Sequence, residues 1–158
     1  MIQDGAARAM KLAVDVMRAV AASGTSQLSD GTVGYHMNRV DDCQQAALAT
    51  LLQVPLSEVP DARIDARIAA GESVEHVDKT AWTQMLKWLA GRGLKLIRHG
   101  RPPTHLPRWL GIVPNPAPFQ GHTLVMAGPQ ILFDPAVKPG IRTFFACEVQ
   151  FGYSIQER

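Results

Sequence analysis

Apolar residues along this chain follow two regimes. As far as residue 93 they recur at three- and four-residue spacing, the period of a helix face; from Leu94 onward they come as short runs bounded by Gly and Pro, the pattern of strands. Met10, Ala13, Met17 and Val20 predict an amphipathic packing helix over residues 3–22. Residues 23–36, rich in Ser, Thr and Gly, read as a loop. The run DDCQQAALATLL predicts a helix with Asp41 or Asp42 as N-cap. VPLSEVPD reads as a turn with a short helical piece. DARIDARIAAGES sets Ile64 and Ile68 one helical turn apart. From Asp78, DKTAWTQMLKWLAGRG predicts a helix with Trp82, Met85, Leu86 and Leu89 as its apolar stripe and Gly91 or Gly93 at its end. Five strands follow in LKLIR, RWLGIV, HTLVMA, QILFD and VQFGYSI, with AGPQ as a tight hairpin connection between the third and fourth. Helices first and an antiparallel sheet second predict an α+β domain. Residues 1–30 read as a helical extension and 31–158 as the core.

Composition narrows the function classes. A chain of 158 residues suits one domain, and a net charge of +2 is too small to argue for nucleic acid or an anionic membrane surface. Charged residues interrupt residues 3–22 too often for a signal-peptide core, and no other stretch approaches the roughly 20 apolar residues of a membrane span. The default compartment is therefore the cytoplasm. Two cysteines are too few for a disulfide framework, and neither they nor the five histidines fall at zinc-ligand spacing. No metal or other cofactor is expected.

Candidate chemistry centres on Cys43. In the first turn of a helix, free N–H groups and the positive end of the dipole favour a thiolate, the nucleophilic form. A thiolate nucleophile needs a base and a group that orients the base. His122 opens one predicted strand and Asp134 closes the next, so a hairpin at AGPQ brings them to the same end of adjacent strands. Each has a plainer reading: Cys43 as a small core residue beside alanines, His122 as a surface or satisfied histidine, Asp134 before Pro135 as a turn former. Cys147, between apolar neighbours, reads as structural. His36, His76, His99 and His105 read as surface residues, Arg98, Arg101 and Arg108 as a solvated basic stretch, and Trp82, Trp88 and Trp109 as core or groove wall. Residues 114–121, PNPAPFQG, read as a loop bordering a cleft.

The sequence DDCxxAALATLL, a tryptophan-bearing helix, GHTLVM and ILFDP together resemble the papain-like cysteine peptidases, above all the bacteriocin-exporter peptidase domains and their stand-alone relatives. The resemblance covers roughly residues 36–140. It implies a papain-like fold and peptide-bond hydrolysis through a thioester, with Cys43 as nucleophile, His122 as base and Asp134 as orienting acid. It also implies a peptide or protein substrate; deamidation or transfer to another amine would use the same triad. The family has a glutamine about six residues before the cysteine as an oxyanion donor; here position 37 is methionine. Asn38 is the first substitute donor and Gln44 a weaker one, beside the backbone N–H of Cys43. That departure favours the alternative of a non-catalytic binding module on the same fold; a third reading is an effector acting on a host protein.

Overall fold

The five apolar runs after residue 93 become the strands of one sheet. In the computed structural model, which describes residues 24–36, 43–114, 121–136 and 144–158, strands β1 (Thr25–Gln27) and β2 (Val33–Tyr35) come first. Helices α1 (Cys43–Leu52), α2 (Ile64–Ala69) and α3 (Val74–Gly91) follow, then strands β3 (Leu94–His99), β4 (Trp109–Val113), β5 (His122–Ala127), β6 (Gln130–Phe133) and β7 (Phe151–Glu157). The sheet runs β3-β7-β4-β5-β6 with every neighbouring pair antiparallel. The architecture is α+β, as the change of period predicts. The helix expected over residues 3–22, the N-cap aspartates Asp41 and Asp42, and Asn38 lie outside the described residues.

Strand alternation divides the core between two faces of the sheet. Leu110, Val125 and Phe133 pack with Ala47, Leu48 and Ala49 of α1 and Met85 and Leu89 of α3. Trp109, Val113, Leu124 and Met126 pack on the other side with Val149. Trp109 is fully buried and lies against Gly152, where an added Cβ would come within 2.4 Å of its ring. Among the helices α1 is the central one: Ala46, Ala47, Leu48, Ala49 and Thr50 are all buried. The short side chains of the three alanines and Thr50 let the sheet and the β1–β2 hairpin approach the helix closely. Thr50, the one polar member, is satisfied twice: its hydroxyl donates to Ala46 O (2.9 Å) and accepts from Tyr35 N (2.8 Å).

That second bond belongs to a correction. Residues 23–36, expected to be a loop, contain the β1–β2 hairpin, in which Thr25 pairs with Tyr35 and Gln27 with Val33. The expected boundary at residue 30 falls within its turn. Gln53 is what docks the hairpin to α1. It sits just past the helix with φ 54°, and Val54 N donates to Ala49 O (3.1 Å), a Schellman-type ending in which glycine is the usual residue. The Gln53 amide accepts from Val33 N (2.9 Å) and donates to Val33 O (2.8 Å), standing in for a neighbouring strand. Its Nε2 also donates to Thr50 O (2.6 Å), so replacing Gln53 by Ala should cost about 3 kcal/mol, roughly one per lost bond. Gln53→Gly should recover about half of that by relieving the left-handed backbone. Denaturation midpoints should therefore rank wild type, Gly, then Ala.

Helix α3 starts at Val74, four residues before the expected Asp78, because Ser73 caps it by accepting from His76 N (3.2 Å). Of its expected stripe, Met85 and Leu89 are buried and Trp82 is half-buried against Tyr153, whereas Leu86 faces solvent; Val77 is the third buried residue of the helix. Among the described residues no helix is long and apolar enough to cross a membrane.

Candidate active site

Cys43 is the first residue of α1, where the leading N–H groups of a helix have no intrahelical acceptor. It is half-buried and packs in a small cluster with Ala46, Leu56 and Ala136. Ala136 lies two residues beyond Asp134, so this packing brings the start of α1 to the end of β6. His122 opens β5 opposite Val113 of β4 and is 4% exposed; Asp134 directly follows β6 and is 7% exposed. The hairpin that joins their strands turns at Gly128-Pro129, where Gly128 has φ +55°, the positive angle needed at the first position of a II′ turn.

A hairpin alone would leave Asp134 on the wrong side. Pairing begins with Ala127–Gln130 and Met126–Ile131, but the next pair is Val125–Phe133, so Leu132 is an extra residue bulged out of β6. Regular pairing would set Asp134 opposite Thr123. The bulge advances it to lie opposite Leu124, and directly opposed residues share a face. Leu124 in turn shares its face with His122, two residues earlier. The Asp134 carboxylate then accepts from His122 Nε2 at 2.7 Å, and the same oxygen, Oδ1, accepts from Ala136 N at 2.9 Å. Oδ2 is buried with no hydrogen-bond partner among the described residues.

Because Asp134 holds the proton on Nε2, the ring nitrogen left for the sulfur is Nδ1, and Cys43 is in hydrogen-bonding contact with the imidazole. Phe144 stacks on the imidazole with ring centroids 5.3 Å apart and belongs to the apolar cluster behind the sheet. Burial pushes the His122 pKa down, but its hydrogen bonds to Asp134 and Cys43 and their negative charges outweigh it, raising the value from 6.5 to about 9. A base whose folded pKa lies above its unfolded one stabilises the fold fully below about pH 6.5, and that contribution is lost as pH rises through about 9. Unfolding free energy should fall across this window by at most on the order of 3 kcal/mol, at 1.36 kcal/mol per pK unit. Chemical denaturation of wild type and His122→Gln at pH 6, 7.5 and 9 checks this; the decline should vanish in the variant.

Cys43, His122 and Asp134 are thus brought together. Gln44 is not: it borders a recess between α1 and α3 whose lining includes none of the three. Asn38 falls outside the described residues. Three other expectations change. Cys147, read as structural, is exposed in a 3-10 turn at Ala146–Glu148. His36 is buried, its ring edge-on to Phe133 at 5.1 Å, because the β1–β2 hairpin lies against α1 and covers it. His99, also read as a surface residue, is half-buried and bonded to Ser154 Oγ at 2.8 Å. Sequence reasoning missed Phe144 and the bulge at Leu132: one aromatic of an FF pair and one residue of an unbroken Ile-Leu-Phe run carry no local signal. Among the described residues no group of His, Cys, Asp and Glu is arranged to hold a metal ion. No family model matches the chain, and no curated protein or solved structure is significantly similar to it.

Proposed function

We propose that this chain is a papain-like cysteine hydrolase of amide bonds, with a peptide or protein as substrate. The observation that supports the reading best is a buried imidazole held on one nitrogen by a carboxylate at 2.7 Å and in contact on its other side with a cysteine at a helix N-terminus. Loss of the thiol proton to Nδ1 gives a thiolate facing an imidazolium, and the helix dipole favours the same charge state. The thiolate attacks the carbonyl carbon, and negative charge develops on the carbonyl oxygen. The backbone N–H of Cys43 at the helix start is the first proposed donor for that oxyanion, and Asn38 is the proposed second. His122 then gives its proton to the departing amine, which leaves a thioester on Cys43. Water, deprotonated by the now neutral His122, attacks the thioester and releases the acid. Asp134 stays ionised throughout; it fixes the tautomer and holds the ring in line.

The raised pKa of His122 sets an upper limit on the reaction. The imidazolium must carry the proton that the amine takes, so hydrolysis should decline as pH rises through about 9. The test of the reading is selective alkylation of Cys43 by iodoacetamide at pH 6, in a Cys147→Ser background, with and without His122. Reactivity that depends on His122 supports the enzyme. An inert Cys43 in the folded protein would leave a binding module on the same scaffold.

A further inference from the structure

A protonated imidazole satisfies its two nitrogens in the plane of the ring, and its faces are left to whatever packs on them. At His122 the in-plane partners are Asp134 and Cys43. The ring is 4% exposed, so water does little for its faces. Phe144 lies over one of them, with centroids 5.3 Å apart and planes inclined by 27°. A cation within about 6 Å of an aromatic centroid, over its face, is attracted by the ring quadrupole, and more strongly where water is excluded. That attraction acts on the charged imidazole and not on the neutral one. Among the described residues the charged groups facing His122 are Cys43 from α1 and Asp134 at the end of β6, while β4 sets Val113 opposite it.

A short turn holds the Phe144 ring in place. The ring packs against the cluster of Trp109, Val113, Leu124, Met126 and Val149. Directly after it, Phe145, Ala146 and Cys147 are all exposed, so burial does not fix the turn that they form. Hydrogen bonds do. Phe145 N donates to Glu148 Oε2 (2.7 Å), and Glu148 N donates to Phe145 O (2.9 Å). Beyond the turn Val149 is buried, and Gln150 N donates to Ile112 O (2.9 Å), which ties the segment to β4. The Glu148 carboxylate thus closes a loop between an anchored Val149 and the residue that follows the stacked ring.

We infer that Phe144 is a positioning residue of the Cys43 site: its ring face supports the imidazolium of His122, and the Glu148 cap keeps the ring on that face. The inference rests on the acyl-transfer reading above. In that reaction the imidazolium exists twice, facing the thiolate before attack and carrying the proton that the amine takes. Support given to the charged ring alone favours both moments.

The test follows the imidazole C–H resonances of His122 by NMR between pH 6 and 10, in a Cys147→Ser background, with the signals assigned by their loss in His122→Gln. Wild type should titrate near 9. Phe144→Leu keeps an apolar cover and removes the aromatic face, so its midpoint should fall by roughly half a unit to one unit. Phe144→Tyr, which keeps the face, should match wild type. Glu148→Ala should show part of the same fall. Glu148→Gln, whose amide oxygen still accepts from Phe145 N, should not. An unchanged midpoint in Phe144→Leu overturns the role of the ring, because apolar cover then suffices. A fall as large in Glu148→Gln as in Glu148→Ala assigns the effect to lost charge and overturns the cap. The Glu148 pair alters an exposed turn, so the test stands even if Phe144→Leu fails to fold. Iodoacetamide labelling of Cys43 at pH 6 separates the inference from the reading beneath it. Labelling that depends on His122, beside midpoints that do not move, leaves the hydrolase standing without Phe144; an inert Cys43 overturns both.

Discussion

At pH 6, Cys43 should alkylate on the order of ten- to a hundredfold faster than an unassisted thiol, and His122→Ala should remove that advantage. A free thiol titrates near 8.5, so at pH 6 only roughly 0.3% of it is thiolate. Cysteines at helix N-termini beside an imidazolium are in general far richer in thiolate than a free thiol. A thiolate stabilised in this way is intrinsically less nucleophilic, which returns part of the gain. The rate advantage is therefore smaller than the gain in thiolate. Cys147 must be replaced by Ser first, because it is exposed and would contribute its own slower labelling. The His122→Ala change opens space beneath the Phe144 ring, so melting curves should accompany the rates, and His122→Gln serves as the better-filled control. Equal rates in wild type and both variants would sink the triad. Above pH 9 the two readouts should part: alkylation persists because it needs only the thiolate, whereas hydrolysis falls because the imidazolium has lost its proton.

How much of this site was legible in the sequence depends on how local each determinant is. The sheet strands were, because apolar runs such as HTLVMA and QILF are short and bounded closely by Gly and Pro, which leaves no room for a helix of several turns. The meeting of His122 and Asp134 was legible in part, through the AGPQ turn that joins their strands. The β1–β2 hairpin was not. Its residues are Thr, Ser, Gln, Val, Gly and Tyr, and its edge is satisfied by the Gln53 and Thr50 side chains, 20 and 15 residues away in the chain. The burial of His36 follows from the same long-range docking, so composition alone placed it at the surface. Helix α3 was found but begun late, because Val74, Glu75 and His76 are all exposed and add nothing to an apolar stripe. Cys147 shows the reverse error: apolar neighbours suggested burial, but Phe145 beside it is 72% exposed and the segment turns outward.

The determinant furthest from view is the bulge at Leu132, and it carries the second large prediction. Inserting one alanine between Phe133 and Asp134 should move Asp134 one position on, opposite Thr123, the face that regular pairing without the bulge would have given it, away from His122. The variant would keep all three site residues and yet behave as Asp134→Ala does. In both, the buried Nε2–H of His122 loses its acceptor, at a cost of about 1–3 kcal/mol in stability, and the ring loses the contact that orients it. Hydrolysis should fall about a hundredfold or more in each. Asp134→Asn should be milder than either, because a neutral amide oxygen can still accept from both Nε2 and Ala136 N. What the amide gives up is its charge, so the upper pH limit of hydrolysis should move below about 9. The pair to compare is thus the alanine insertion and Asp134→Asn, each with circular dichroism as a check on folding. If the folded insertion variant retains wild-type hydrolysis, register does not deliver Asp134 to His122 and another acceptor orients the ring. If it matches Asp134→Ala while Asp134→Asn stays active, then the register that the Leu132 bulge sets is what turns a cysteine, a histidine and an aspartate into a working site.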